Sequence, residues 1–273
     1  MNRYTLAVLV RNQFGVLNRL TSMFRRRQFN ITSITASETE MGEYSAREAA
    51  AEINRQIKEK GEINMIFAAA PSQNDFLASL INDKTIDWTK IHAFHMDEYI
   101  GLPADAPQGF GNFLKNAIFG RVPFASVDYI DCTAVDPEAE CERYSALLTA
   151  NKCDVIIMGI GENGHIAFND PHVADFNDSK VVKVVSLDET CRMQQVNDGC
   201  FKQLDDVPKY ALTLTIPTLV AAESVFCIVP AKTKANAVNR TVNGEISEEC
   251  PATILRRHDN AKLYLDADSA SLI

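Results

Sequence analysis

The sequence contains no C-x-x-C pair, and its seven cysteines are scattered along 273 residues. An odd number of dispersed cysteines argues against a disulfide framework and against a zinc site built on cysteine pairs. Because thiols stay reduced in the cytosol, this usage favours a cytoplasmic protein. The cysteines are Cys132, Cys141, Cys153, Cys191, Cys200, Cys227 and Cys250.

Long apolar runs are also missing, since none approaches the roughly 20 residues that a helix needs to span a bilayer. The first residues lead into a short apolar stretch that Arg11 and Asn12 interrupt, and no small-residue cleavage site follows. We therefore expect neither a signal peptide nor a membrane partner.

An excess of positive charge is absent too: 27 lysines and arginines face 36 aspartates and glutamates, giving a net charge of −9. Such a chain should not hold nucleic acid or an anionic membrane through bulk electrostatics. An anionic substrate would have to be captured by a few local donors. The hydrophobic fraction of 46% and the length fit one large globular domain, alone or with a small extension.

From about residue 41 the sequence alternates between helical and strand patterns. Residues 154–159, DVIIMG, form the continuous apolar run that is typical of a strand buried on both faces of a parallel sheet. The alternation predicts an α/β fold with helices on both faces of the sheet. Helices are predicted at 44–60, 74–82 and 109–119, and further strands at 63–69, 91–95, 181–186, 211–214, 224–229 and 262–265.

A separate β-α-β pattern precedes this region. Residues 4–10 have the pattern of a buried strand, residues 15–28 that of a helix, and a second strand-like run begins at Ile31.

Three segments with unusual residues follow predicted strands, and the carboxyl ends of strands are where open parallel sheets bind ligands. In the first, FHMDEYIGL at 94–102, Asp97 and Glu98 directly follow an apolar strand. A carboxylate at a strand end can act as a general base. The structural alternative is a helix N-cap or a surface turn.

The second segment is GIGENGHIAFNDP at 159–171, where glycines let the backbone turn sharply around His165. Glu162, Asn163 and Asp170 lie nearby, and a histidine beside carboxylates is suited to proton transfer near neutrality. A purely structural histidine is the alternative. The G-x-G-x-x-G spacing only weakly suggests a dinucleotide site, because Pro171 opposes a helix there.

The third segment is FAAAPSQNDF at 67–76, a small-residue loop between a strand and a helix. Its backbone N–H groups and Ser72 suit a phosphate at the helix N-terminus, although Ser72 or Asn74 can equally serve as a plain N-cap. Lys232 and Lys234 follow the apolar run SVFCIV, and a lysine there is either a point charge for phosphate or a solvated surface group.

Together these segments resemble the glucosamine-6-phosphate deaminase (isomerase) family, which also includes 6-phosphogluconolactonases, over residues 41–273. The resemblance is carried by FHMDEYIGLP, GIGENGHIAFNDP, VPKYALTLTIPTL and AKTKANAV. It implies a modified doubly wound parallel sheet, a catalytic domain at 39–273, and a homo-oligomer. The implied reaction converts glucosamine or galactosamine 6-phosphate to a ketose 6-phosphate and ammonia without a metal or an organic cofactor.

The resemblance also implies roles for individual residues. Asp97 would move the proton between C2 and C1, and His165 would open the sugar ring. Asp170 would set the charge of the histidine, with Asn163 and Glu162 beside it. The implied phosphate-binding residues are Ala70, Ser72, Gln73, Lys234 and Arg192.

This chain departs from the family pattern at three places. Asn163 stands where the family usually has an aspartate, so that Glu162 or Asp170 would have to supply the charge. The usual Gly-Gly-Thr type of phosphate loop is replaced by residues 69–73, AAPSQ. Asn197 occupies the position of an arginine that often assists phosphate binding, and nearby Arg192 is the candidate substitute.

The N-terminal segment 1–38 resembles the first half of an ACT domain, as in the small subunit of acetolactate synthase. VRNQFGVLNRLTSMFRRRQFNITSI carries this resemblance. Half a module cannot bury its own sheet face, so the segment packs on the main domain, pairs with another chain, or is a fusion. Its second strand is also a candidate for the first strand of the deaminase fold.

Two other functions remain open at the level of sequence. A 6-phosphogluconolactonase-like hydrolase would use His165 as the base for water attack and would need no proton abstraction from carbon. A non-catalytic sugar-phosphate sensor is suggested by Asn163 and by the N-terminal segment.

Overall fold

A parallel sheet forms the centre of the computed structural model, which describes Leu6–Ala7 and residues 38–273. The strands of this sheet are β1 (Leu6–Ala7), β2 (Ile63–Phe67), β3 (Ile91–His95), β5 (Ser126–Asp128), β6 (Val155–Met158), β9 (Ser224–Val229) and β10 (Ala261–Leu265). They lie in the order β1-β10-β9-β6-β2-β3-β5, and every neighbouring pair is parallel.

Helices cover both faces of the sheet. They are α1 (Glu38–Lys60), α2 (Asn74–Asn82), α3 (Phe110–Leu114), α4 (Pro137–Ala150), α5 (Glu189–Asn197), α6 (Ile216–Val220) and α7 (Ala235–Asn243). Alternate side chains of β9 enter two different apolar clusters: Val225 and Cys227 pack with α4 and α7, whereas Phe226 and Ile228 pack with α1 and α2. The predicted α/β class with helices on both faces is therefore confirmed.

Helix α1 begins six residues before its predicted start, and it approaches α2 closely. Gly42 permits this contact, because a Cβ there would lie 2.8 Å from the Cβ of Asp75 on α2. The alanines Ala46, Ala49 and Ala50 then bury the face of α1 that packs on the sheet. Small side chains let helix and sheet pack without leaving a void.

Three strands form a second, antiparallel sheet that the sequence pattern did not predict. It consists of β4 (Asp97–Tyr99), β7 (Val182–Ser186) and β8 (Tyr210–Leu214), in the order β4-β8-β7. Only Met96 separates β3 from β4, so the chain leaves one sheet and enters the other at this residue. Asp97 lies at that transition.

The N-terminal segment contributes part of its predicted first strand to the main sheet. Leu6–Ala7 pairs in parallel with Leu263 and Tyr264 of β10. The predicted helix at 15–28 and the strand beginning at Ile31 lie outside the described residues. The domain boundary at residue 38 stays a prediction.

The strand order reverses between β2 and β6, because the chain proceeds from β2 to β3 on one side and from β6 to β9 on the other. The carboxyl ends of all these parallel strands lie at one edge, and ligands bind where such a reversal opens a crevice. Among the described helices, none is long and apolar enough to cross a membrane.

Candidate active site

A cavity of about 220 Å³ lies at this edge of the sheet. The loops after β2, β3, β6 and β9 each contribute to its wall, as the reversal of strand order predicts. Five of the residues predicted from the sequence line the cavity: Ala70, Ser72, Asp97, His165 and Lys234. The other five lie outside the lining: Gln73, Glu162, Asn163, Asp170 and Arg192.

Asp97 is almost completely buried, with 6% of its surface exposed, and it lines the cavity. Its carboxylate accepts no hydrogen bond from any residue that the structure describes. Burial, together with the neighbouring charge of Glu98, raises the pKa of Asp97 well above its usual value. Such a carboxylate is a stronger base than an ordinary aspartate when it is ionised.

Glu98, the neighbouring carboxylate, has a structural role. Its two oxygens accept hydrogen bonds from the backbone N–H groups of Tyr99, Phe110 and Gly111, at 2.8 to 3.0 Å. It therefore anchors the start of α3, where a carboxylate also suits the helix dipole. The helix-capping alternative applies to Glu98 and not to Asp97.

A hydrogen bond from His95 holds the backbone of Asp97, and sequence reasoning missed this contact. Its buried ring accepts a hydrogen bond from the backbone N–H of Ile130 at Nε2 (2.9 Å), so Nδ1 carries the proton and donates to the backbone oxygen of Asp97 (3.0 Å). Burial lowers the pKa of His95 to about 4, which keeps the ring neutral. The position of His95 two residues before Asp97 was the only signal in the sequence.

His165 is held through Nδ1, which lies 2.8 Å from Oδ1 of Asn163 and 3.0 Å from Oδ1 of Asp170. With the Nδ1 proton directed at these two oxygens, Nε2 is the nitrogen left to exchange a proton. The ring also packs against Gly161, where a Cβ would lie only 2.1 to 2.3 Å from ring atoms. Glycine at this position is thus a steric requirement of the loop that carries His165.

Asp170, rather than Glu162, supplies the negative charge beside the imidazole. Burial by itself would raise the pKa of Asp170, but hydrogen bonds from His165, Asn163 and the backbone of Asp188 lower it below the usual value. The backbone N–H of Glu162 donates to the side chain of Gln194, and Glu162 makes no contact with the imidazole among the hydrogen bonds of the described residues.

A second carboxylate, that of Asp188, explains why an asparagine stands at position 163. Its Nδ2 donates to Oδ1 of Asp170 and to Oδ2 of Asp188, both at 2.9 Å, while its Oδ1 accepts from the backbone N–H of His165. An amide satisfies two acceptors at once, which an aspartate at this position cannot do. The departure from the family pattern is therefore matched to Asp188 in this chain.

Lys234 is 5% exposed and lines the cavity, and its ammonium group has no hydrogen bond or ion pair with the residues that the structure describes. Burial lowers its pKa, whereas the nearby charges of Asp198 and Glu162 act in the opposite direction. It is the only lysine or arginine in the described lining of the cavity. The sequence alternative of a solvated surface lysine is wrong for Lys234, whereas Lys232 is exposed.

Ser72 belongs to a short 3-10 turn, Pro71–Gln73, that leads into α2. No side chain caps this turn or α2, so the alternative of an N-cap by Ser72 or Asn74 is wrong. The amide of buried Gln73 donates to Oγ of Ser72 and to the backbone oxygen of Ile228, so Gln73 supports the loop from behind.

Arg192 does not face the cavity. Its guanidinium donates to the backbone oxygens of Leu204 and Val207, at 2.7 and 3.0 Å, because α5 packs against that loop. Sequence reasoning missed the cavity residues of the same helix, the residue that follows it, and further residues of the loop after β9. These are Gln194, Gln195, Asp198, Pro230, Ala231 and Thr233.

Two groups of side chains have the composition of a metal site. One is His165, Asp170 and Cys191, and the other is Asp170, His172 and Asp188, with ligand atoms within 4.8 Å of one another. Asp170 is already engaged in hydrogen bonds in both groups. The expectation that the protein needs no metal or cofactor stays a prediction.

Exchanging Asn163 for aspartate should destabilise the protein although it recreates the family pattern. The substitution Asn163→Asp would bring three carboxylates together and remove the donor that Nδ2 supplies to Asp170 and Asp188, at a cost of about 1–3 kcal/mol. Chemical denaturation at pH 7 measures this cost. The double variant Asn163→Asp/Asp188→Asn restores one donor and should recover part of the lost stability; equal stability of Asn163→Asp and wild type would contradict the account.

Comparisons with known proteins agree with this geometry. Residues 36–265 match the family model described as glucosamine-6-phosphate isomerases/6-phosphogluconolactonase, and residues 6–59 match that of the AHAS small subunit-like ACT domain. Glucosamine-6-phosphate deaminase of Bacillus cereus (strain B4264) is 35% identical over 220 residues, which are 81% of this chain and 82% of the relative. That of Listeria welshimeri is 32% identical over 213 residues, 78% of this chain and 89% of the relative.

Solved structures show the same relationship. A monomeric glucosamine-6-phosphate deaminase superimposes with a TM-score of 0.78 at 30% identity, covering 87% of this chain and 97% of the other. A 6-phosphogluconolactonase from Thermotoga maritima shares the fold, with a TM-score of 0.67 at 19% identity over 96% of this chain and 99% of the other. The chain belongs to the family of glucosamine-6-phosphate isomerases and 6-phosphogluconolactonases.

Proposed function

We propose that the protein is an amino-sugar-phosphate deaminating isomerase, which converts glucosamine 6-phosphate or galactosamine 6-phosphate and water to the ketose 6-phosphate and ammonia. The observation that carries this proposal is Asp97. A buried carboxylate without a hydrogen-bond donor among the described residues, in the same cavity as His165 and Lys234, is the base that proton transfer between carbon atoms requires.

The phosphate end of the substrate lies between Ser72 and Lys234 in this proposal. Two uncapped helical starts, the turns before α2 and α7, lead into the cavity from these two loops. Backbone N–H groups at helix N-termini favour anions, and the ammonium of Lys234 adds a point charge. The phosphate then provides binding energy that orients the distant carbon atoms.

We assign the opening of the sugar ring to His165. Its Nε2 exchanges a proton with the ring oxygen while Nδ1 stays hydrogen-bonded to Asn163 and Asp170. The charge of Asp170 stabilises the imidazolium form when it arises. The amide of Asn163 fixes the orientation of the ring, so orientation and charge are supplied by two different residues.

Asp97 then removes the proton from C2 of the open-chain sugar and returns a proton to C1, while the aldehyde oxygen takes up the proton that the ammonium group gives up. The resulting imine at C2 adds water and releases ammonia, which leaves the carbonyl of the ketose. The hydrogen bond from His95 to the backbone oxygen of Asp97 holds that backbone in place during the transfer.

The alternative, a 6-phosphogluconolactonase-like hydrolase, shares the fold but needs no carbon base. The Thermotoga maritima 6-phosphogluconolactonase is 19% identical to the chain, a level that shows the fold alone. The buried carboxylate of Asp97 and the deaminase relatives both favour the isomerase. A homo-oligomer and a cytoplasmic location stay predictions from the sequence, and one solved relative is monomeric.

A direct assay separates the candidate functions. The purified protein should release ammonia and the matching ketose 6-phosphate from glucosamine 6-phosphate or galactosamine 6-phosphate, and the preferred epimer identifies the substrate. Hydrolysis of 6-phosphogluconolactone without ammonia release would establish the hydrolase instead. Binding of all these sugars in calorimetry without turnover would establish a sensor.

Replacing Asp97 by asparagine should lower turnover and raise stability together. Loss of a general base costs about 10²-fold or more in rate. Because the folded state raises the pKa of Asp97, stability falls as the pH rises from the unfolded-state pKa to the raised folded-state pKa, and an amide removes this cost. Turnover and thermal unfolding at pH 7 measure both effects, with exposed Asp105→Asn as the control. Unchanged turnover would remove Asp97 from its role.

The pH dependence of the activity should also reflect the raised pKa of Asp97. Asp97 must be ionised to act, so activity is lost as the pH falls through its raised pKa, above the usual carboxyl range of about 4. The acid limb of kcat/KM measures this value. An acid limb at the ordinary aspartate pKa would contradict the assignment of a buried base.

A further inference from the structure

The loop after β9 has a strained backbone at the cavity wall. Ala231 has φ of 80° and ψ of 146°, a region of backbone conformation that is almost closed to residues with a Cβ. Such a conformation persists only when surrounding contacts impose it. Ala231 also lines the cavity, so the strain lies at the proposed phosphate end of the site.

Asp266, directly after β10, is hydrogen-bonded to this strained residue. Its Oδ2 accepts a hydrogen bond from the backbone N–H of Ala231 at 2.9 Å, and its Oδ1 accepts one from the backbone N–H of Ser269 at 2.7 Å. The side chain is 6% exposed. Both carboxylate oxygens are thus engaged, one in fixing Asp266 itself and the other in holding the loop.

The held loop leads directly to Lys234. The backbone N–H of Lys234 donates to the backbone oxygen of Ala231 at 3.1 Å, which closes the turn. Thr233 and Lys234 of this turn line the cavity with Ala231. Because β9 and β10 are adjacent parallel strands, their carboxyl ends lie side by side, and Asp266 reaches the loop without crossing the cavity.

We propose that Asp266 is a positioning residue that holds residues 230–234 in the conformation that binds the phosphate of the substrate. This inference rests on the proposed function, since it takes the phosphate to lie at Lys234. An asparagine cannot replace Asp266, because one of its two polar groups is a donor and would face a backbone N–H. The strain at Ala231 would then be released, and the turn that presents Lys234 would change.

The test compares Asp266→Asn with the wild type in two measurements. Binding of inorganic phosphate is measured by calorimetry, and KM and kcat are measured with the amino-sugar phosphate. We expect the phosphate Kd and KM to rise about tenfold, with kcat within about twofold of wild type. Asp268→Asn, an exposed aspartate two residues further on, is the matched control and should change neither value.

The double variant Asp266→Asn/Ala231→Gly distinguishes positioning from a general effect on folding. Glycine adopts φ of 80° without strain, so the loop no longer needs the carboxylate, and phosphate affinity should return to within about threefold of wild type. A weakened Asp266→Asn variant that glycine does not rescue would overturn the proposal, as would wild-type affinity in Asp266→Asn. If Asp266→Asn does not fold, Ala231→Val, which worsens the strain, must weaken phosphate binding instead.

Lys234→Ala separates this inference from the proposed function. If Lys234→Ala binds inorganic phosphate as tightly as wild type, the phosphate does not lie at Lys234, and both the role of Lys234 and the positioning role of Asp266 fail, whereas the isomerase function fails only if the wild-type protein releases no ammonia. If Lys234→Ala weakens binding while Asp266→Asn does not, only the positioning role of Asp266 is overturned.

Discussion

The site depends on one constraint, the convergence of parallel strand ends where the strand order reverses. Because β2, β3, β6 and β9 all run in the same direction, the loops after them meet at one edge of the sheet. Each loop contributes a different chemical group: Ser72, Asp97, His165 and Lys234. Four positions spread over more than 160 residues of sequence thereby line one cavity.

Burial at this edge then determines the chemistry of each group. Asp97 lacks a hydrogen-bond donor among the described residues and acquires a raised pKa, whereas Asp170, which is also buried, is kept below its usual pKa by the groups that donate to it. In the proposed mechanism these environments distinguish the base, Asp97, from the carboxylate that stays charged, Asp170. The proposal assigns the anionic end of the substrate to Lys234.

Much of this was predictable from the sequence. The apolar runs predicted β2, β3, β6, β9 and β10 to within two residues but did not predict the short strand β5, and helix α2 begins and ends at the predicted residues. The strand-end residues were identified because strand ends bind ligands in such sheets. Family motifs predicted the roles of Asp97 and His165, which local features alone left open.

The remainder depends on contacts between residues that are distant in the sequence, which local patterns do not contain. In the sequence, Asn163 is seen only as the loss of a charge relative to the family pattern. The structure places the carboxylate of Asp188 beside it, a contact that the sequence pattern does not contain. Arg192 was assigned to the phosphate by proximity in sequence, but its side of α5 faces the loop at 204–207. The antiparallel sheet that carries β4 arises from pairing with β8, more than 100 residues away.

The central claim is that Asp97 carries a proton between two carbon atoms, and turnover in heavy water tests it most directly. A single buried base delivers its proton to one face of C1, so deuterium that it takes up by exchange with the solvent should appear at only one of the two C1 positions of the ketose 6-phosphate formed by the wild-type protein, and the remaining product should carry the hydrogen from C2 there. Asp97→Asn should form this labelled product at least about 10²-fold more slowly. Equal labelling of both C1 positions by the wild-type protein, or undiminished labelling by Asp97→Asn, would contradict the account.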